Sequence, residues 1–145
     1  MPIKTSRGLV ANNTQDTISL HTNNGSMGYR IVKFELISSN PGTKDMEAYV
    51  TISKIPFTPA TTIDLSDQTI LAVGYWHQAG NLAYPDSDHK ILFDKEVFNQ
   101  DIYIGCNDVQ DNDGINYYIE LEQVKLDLNE NTVATLKDIR NITAV

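Results

Sequence analysis

The sequence predicts an all-β protein: an antiparallel β-sandwich or jelly roll with a short C-terminal helix. Three observations carry that reading. Short apolar-alternating runs recur about every ten residues, the pattern of half-buried strands joined by turns. The 13 asparagines gather where the alternation stops. Asn tolerates positive φ and closes Asx-turns, so they mark connections between strands. The stretch Val97 to Leu128, VFNQDIYIGCNDVQDNDGINYYIELEQVKLDL, holds two alternating runs around an acidic loop with a glycine. That reads as an antiparallel β-hairpin.

The elements follow in order. Residues 1–16 are polar and unpatterned, a flexible N-terminal arm or a loose first strand, with residues 17–145 as a single sandwich domain. Removing residues 1–14 is accordingly expected to leave the fold intact. Thr17 to Thr22 alternates, with Ile18 and Leu20 on one face, and Asn23-Asn24-Gly25-Ser26 turns the chain. Tyr29 to Ser38 sets Val32, Phe34 and Leu36 against Arg30, Lys33 and Glu35, and Ser39-Asn40-Pro41-Gly42 ends it. Met46 to Ser53 puts Met46, Ala48, Val50 and Ile52 on one face and Glu47, Thr51 and Ser53 on the other. Such a sheet is wetted on one side. Pro56 and Pro59 punctuate a loop, with Ile63 and Leu65 as a short strand. Thr69 to His77 is more continuously apolar, as a central strand would be. Gln78 to Asp88 is the longest loop. His89 to Phe93 is a strand, and Asp94 to Asn99 a one-turn connector.

Asp101 to Cys106 and Ile115 to Leu126 complete the hairpin. In the second run Tyr117, Ile119 and Leu121 share a face while Val124 and Leu126 fall on the other, which requires a bulge or a change of packing partner. Val133, Leu136 and Ile139, spaced by three, follow Asn131 or Thr132 as N-cap and give the C-terminal helix an apolar stripe for packing or assembly. A helix of two to three turns persists only with tertiary contact.

Composition narrows the function classes. At 145 residues the chain is one domain that can bury a core without cross-links. A net charge of −8, with no Lys/Arg cluster, leaves nothing to neutralise phosphates. Neither nucleic acid nor an anionic membrane is an expected partner. Cys106 is the single cysteine, which excludes an intrachain disulfide and a cysteine-based zinc site. Its period-two relation to Ile102 and Ile104 points it into the core as a small hydrophobe. Met1-Pro2-Ile3-Lys4 lacks the apolar segment of a secretory signal, and no run reaches membrane-spanning length. A soluble product of a reducing cytosol is expected, with the N-x-S/T tripeptides at Asn12, Asn24 and Asn141 arising by chance.

Candidate chemistry is sparse. Asp108, Asp111 and Asp113, with Asn112 and Gly114, form the sharpest constellation, since clustered carboxylates beside a glycine suit a hard cation. An EF-hand register would put Val109 first, where an oxygen is needed, and the flanks are strands, so that motif is rejected. A calcium site of another kind competes with a solvated turn whose Asp and Asn side chains hold local backbone donors. The turn is the expectation, with no cofactor. His21, His77 and His89 stand far apart without metal-ligand spacing and are expected at strand edges. No G-x-S-x-G elbow is present. Asp86 with Asp88, and Glu120 with Glu122, read as polar faces rather than as acid and base. No enzyme is expected. Tyr75 and Trp76, with Tyr84 in the following loop, are candidates for stacking a sugar ring, against a core or interface role for the same rings. Adjacent strand residues point oppositely, so Tyr75 and Trp76 need the loop's help to share a platform.

The run LFDKEVFNQDIYIGCND, followed by NYYIELEQVKL and closing on TVATLKDIRN, resembles small acidic β-rich virion structural proteins of marine bacteriophages. The resemblance covers roughly the C-terminal third. It implies a structural component of the particle: a capsid decoration, spike or connector-associated protein. Such a protein would be made in the host cytoplasm and would act as a homo-oligomer with other virion proteins as partners. No functional residue transfers with the resemblance, and the first two thirds carry no tail or capsid hallmark. The alternative class is a carbohydrate-binding, lectin-like module, with or without calcium. A hydrolase with a carboxylate pair is the third.

Overall fold

The computed structural model describes residues 2–20, 26–41, 45–78 and 87–126. They form eight strands: β1 (Ile3–Val10), β2 (Thr14–Ile18), β3 (Met27–Ser38), β4 (Met46–Ser53), β5 (Ile70–Gln78), β6 (Ser87–Phe93), β7 (Ile102–Asp108) and β8 (Ile115–Lys125). A small sheet of order β1-β8-β3 packs on a large one of order β2-β7-β4-β5-β6, and every pairing is antiparallel. The fold is an all-β sandwich. The pairs β1·β8, β2·β7 and β4·β5 are nested, as in one long hairpin rolled into two sheets, which is jelly-roll winding. The fourth nested pair would be β3·β6. Here β6 pairs with β5 instead and widens the large sheet. The expected C-terminal helix, with Val133, Leu136 and Ile139, lies outside the described residues.

The core forms between the sheets because the apolar members of each alternation share one face. Ile31, Phe34 and Leu36 of β3 and Ile115, Ile119 and Leu121 of β8 meet Val50 and Ile52 of β4 and Ile102 and Ile104 of β7, all buried. In β3 the expected trio of Val32, Phe34 and Leu36 is broken by a bulge. Ile31 pairs with Leu121 and Lys33 with Glu120, so Val32 is the extra residue and is exposed. Ile31 takes the inward place instead, and Arg30 and Lys33 reach the same outer face. The bulge thus sits in the partner of β8 rather than in β8 itself. Beyond it, Val124 pairs with Gly28, and a Cβ on Gly28 would lie 2.8 Å from Val97 and 3.2 Å from Leu126. Leu126 and Val97 therefore pack over the bare glycine, on the side away from the main core.

Three expectations are corrected. Residues 3–10 are not an arm. They are β1, paired in register with β8 from Ile3↔Glu122 to Val10↔Ile115. Only Gly8 and Val10 on its inner face are apolar, because Tyr117 reaches over Gly8 and supplies the bulk that β1 lacks. A strand completed by its neighbour's side chain shows little alternation of its own. Ile63 and Leu65 form no strand and are exposed in the loop from residue 54 to 69. Asp94 to Asn99 is extended rather than a helical turn. Phe98 bridges to Tyr29 through two backbone hydrogen bonds of 2.7 and 2.9 Å, adding a fragment to the edge of β3. The buried Lys54 ammonium, 2.6 Å from Glu96, ties that segment to the end of β4.

The largest correction concerns Val97 to Leu128. β7 and β8 are not a hairpin: they lie in opposite sheets, and residues 109–114 arch from one sheet to the other. Ile102, Ile104 and Cys106 face Ile115, Tyr117 and Ile119 across the core. Alternation names the buried face of a strand and is silent on its neighbour. The arch is tight at Gly114, where a Cβ would stand 2.6 Å from the Val10 carbonyl oxygen. Backbone cannot yield as a side-chain tip can. Gly114→Ala is expected to cost about 1–3 kcal/mol by forced displacement of the two corners. A chemical-denaturation midpoint equal to that of the parent would show that the corners separate freely.

Candidate functional site

The acidic loop was the sharpest sequence candidate, and the structure makes its central carboxylate a backbone fastener. Asp108 is 1% exposed and ends β7 facing inward. Its Oδ1 accepts the N–H of Glu47 at 3.1 Å and of Gln110 at 3.0 Å, and its Oδ2 accepts the N–H of Asp113 at 2.9 Å. The first bond ties the arch to β4, and the other two bend the chain out of β7. The neighbouring corner between β1 and β2 joins in. Asn12 Oδ1 accepts the Asp108 N–H at 2.7 Å, and Asn12 Nδ2 donates to Asn112 Oδ1 at 3.3 Å. Asn13 and Asn112 both have φ of 57°, the left-handed conformation that Asn tolerates and tight corners need. Asp111 is exposed and apart from this network. Among the described residues, no three His, Cys, Asp or Glu side chains converge as a metal site would require. The Asp108 carboxylate is thus engaged by turn hydrogen bonds, while Asp113 Oδ2 is buried with no hydrogen-bond partner among the described residues.

Cys106 lies in the same corner, fully buried, its Sγ 3.6 Å from the Val10 carbonyl oxygen and 3.5 Å from that of Ala11. The inward direction read from its period-two spacing holds. Burial, with the Asp108 charge adding, pushes its thiol from an ordinary 9.0 up to about 11. The unfolded chain loses this proton earlier than the folded one. The stability it contributes is therefore complete below pH 9.0 and disappears as pH rises through about 11. Denaturation midpoints measured across that window should fall less steeply for Cys106→Ala than for the parent. Equal slopes would assign the decline to other groups.

Of the aromatic candidates, Tyr75 and Trp76 lie on opposite faces of β5. Tyr75 pairs with Tyr49 on the outer face of the large sheet, ring centroids 5.4 Å apart and edge to face. The Tyr49 hydroxyl donates to Glu47 at 2.7 Å, which pushes its phenol up to about 12. Trp76 is on the opposite face of β5. It packs against the core, stacks on His89 with centroids 5.6 Å apart, and donates its indole N–H to Gln78 at 2.8 Å. Tyr84 and His21 lie outside the described residues, and His77 is exposed on the outer face. Glu120 and Glu122 share the outer face of β8, as their spacing implied. Each has its own neighbour: Glu120 accepts the Tyr118 hydroxyl at 2.9 Å, and Glu122 pairs with Arg30 at 2.8 Å. The Arg30 hydrogen bond and charge hold the Glu122 carboxyl below its ordinary range.

Large apolar side chains are left exposed on the outer face of the small sheet. Residues paired in a ladder share a face, so the registers give the rows of this surface. Leu9, Asn116 and Ile37 form one row, Arg7, Tyr118 and Glu35 the next, and Thr5, Glu120 and Lys33 the third. Leu9 is 55% and Ile37 57% exposed. They flank a depression of about 510 Å3 over the short Asn116 side chain, bordered by Arg7, Glu35 and Tyr118. Tyr118 leans away from it toward Glu120, with the Lys33 ammonium 5.8 Å from its ring centroid. These residues escaped the sequence reading, although a signal was present. Leu9-Val10 and Leu36-Ile37 are adjacent apolar pairs, and in a strand one member of each must face outward.

No protein-family model, curated protein or solved structure matches this chain.

Proposed function

We propose that the protein is a non-enzymatic structural component of a virus particle that works through protein–protein assembly. The observation that carries assembly is the apolar pair Leu9 and Ile37, each more than half exposed on a sheet face with charged residues beside it. Exposed apolar side chains set among charged ones on a single sheet face suit an interaction surface. The winding, with three of four nested jelly-roll pairs, is one found in viral capsid domains and in lectins. The resemblance of the C-terminal third to phage virion proteins favours the first. The separation of Tyr75 and Trp76 onto opposite faces weighs against a sugar platform built from these two rings. The fastened corners suit a part that bears load rather than one that opens around a substrate.

Light scattering coupled to size exclusion, with a glycan array run in parallel, tests this reading. The expected result is a concentration-dependent oligomer and no glycan retention. Retention on glycans that is lost in Trp76→Ala would replace assembly with the lectin-like alternative.

A further inference from the structure

We infer that the outer face of the small sheet is a self-docking surface, on which a second copy of this chain sits about a two-fold axis running along β8. The inference rests on the assembly reading and deepens it by naming the surface and its occupant. Three facts on that face carry it.

The first is the symmetry of the rows. β8 is the middle strand, with β1 and β3 on either side. Strands are spaced about 4.8 Å apart, so matching residues of β1 and β3 stand about 10 Å from each other across β8. A two-fold axis lying in the contact plane along β8 exchanges the sides: β1 of one copy covers β3 of the other.

The second is what this exchange brings together. Leu9 meets Ile37 of the second copy, Arg7 meets Glu35 of the second copy, and Asn116 lies on the axis against itself. Each apolar residue finds an apolar one and each charge its opposite, and both contacts occur twice because the interface is isologous. An axis across the strands midway between the two rows would instead set Leu9 on Arg7 and Ile37 on Glu35, and one through the Leu9 row would keep an apolar match but never bring Arg7 to Glu35.

The third is shape. The depression over Asn116 lies between Leu9 and Ile37, with Tyr118 leaning out of the way. It lies on the axis, where the depressions of the two copies face each other and give the Leu9–Ile37 pairs on either side room to lean inward. Further along β8, Glu120 would meet itself, which confines the contact to the Leu9–Ile37 end.

The test is charge exchange between chains, read by sedimentation velocity on the full chain. Arg7→Glu places two carboxylates against each other twice, and Glu35→Arg does the same with two cations. Each variant alone should dimerise about tenfold more weakly or worse. Mixed in equal amounts they should form a heterodimer of near-parental affinity, because each reversed charge then meets its complement. A contact within one chain cannot produce that recovery. Arg7 and Glu35 are on the solvent side of their strands, so neither variant threatens the core.

Asn116→Cys supplies an independent reading. A thiol on the axis should give a disulfide-linked dimer on mild oxidation, while Thr17→Cys, exposed on the other sheet, should not, and Cys106 is too buried to interfere. Single variants that dimerise like the parent, or a mixture that does not recover, would remove the two-fold from this face. A parental chain that stays monomeric overturns self-docking but leaves assembly on a different virion protein standing. Glycan retention through Trp76 strikes the assembly reading itself.

Discussion

Deleting residues 1–10 should abolish cooperative folding. β1 pairs with β8 along its whole length, and Val10 is fully buried at the corner where the two sheets meet. Without β1 the small sheet has two strands, β8 and β3, and two strands alone are marginal in water. The loss sums several contributions. Burial of Val10 stabilises by about 2 kcal/mol, and each net ladder hydrogen bond adds about 1 kcal/mol. Set against the roughly 5–15 kcal/mol of a typical domain, this is most of the margin. The deletion also bares the edge of β8, which carries a long apolar alternation and would invite aggregation. Circular dichroism with thermal melting should show a broad, non-cooperative transition. A truncated chain that melts sharply at the parental midpoint would return residues 1–10 to the status of an arm.

Asp108→Ala should be the most destabilising single substitution in the acidic loop. It removes one carboxylate and strands three backbone donors, those of Glu47, Gln110 and Asp113. A buried donor left unpaired costs about 1–3 kcal/mol. Gln110 is exposed and its amide finds water, so the expected total is about 3–5 kcal/mol rather than three full penalties. Asp108→Asn keeps one acceptor oxygen and should fall between the two. Asp111→Ala, at an exposed position outside the network, should change stability by about 0.5 kcal/mol or less. Calcium in excess over EDTA should leave the parental melting midpoint unmoved. If Asp111→Ala were as costly as Asp108→Ala, and calcium raised the midpoint, the loop would be a cation site after all.

Single elements show how far the residues alone led. Met46 to Ser53 was readable because every second side chain is apolar and small or branched, and β4 spans those residues. Cys106 was readable for the same reason. Val32 was not: a bulge shifts the phase of a strand, and it is visible only against the register of the partner strand. For β1 the residues leave arm and loose strand both open, because its inner face is filled from Tyr117, more than a hundred residues away in sequence. At the acidic loop Asp108 and Asn12 hold local backbone donors, but the hairpin the loop was expected to close is an arch between sheets.

By itself, then, the order of residues determined which positions turn, which alternate, and, where the alternation is unbroken, which side of a strand seeks the core. Those are local properties, set by φ preferences of Asn and Gly and by the period of two. Tertiary structure alone decided which strands are neighbours, that β7 and β8 face each other across the core, and that Leu9 and Ile37 share an outer row. Strand pairing is chosen by backbone groups that are the same in every residue. A chain therefore specifies its partners only through the joint packing of all its faces, and the surface left over after that packing is legible only when the sheets are assembled.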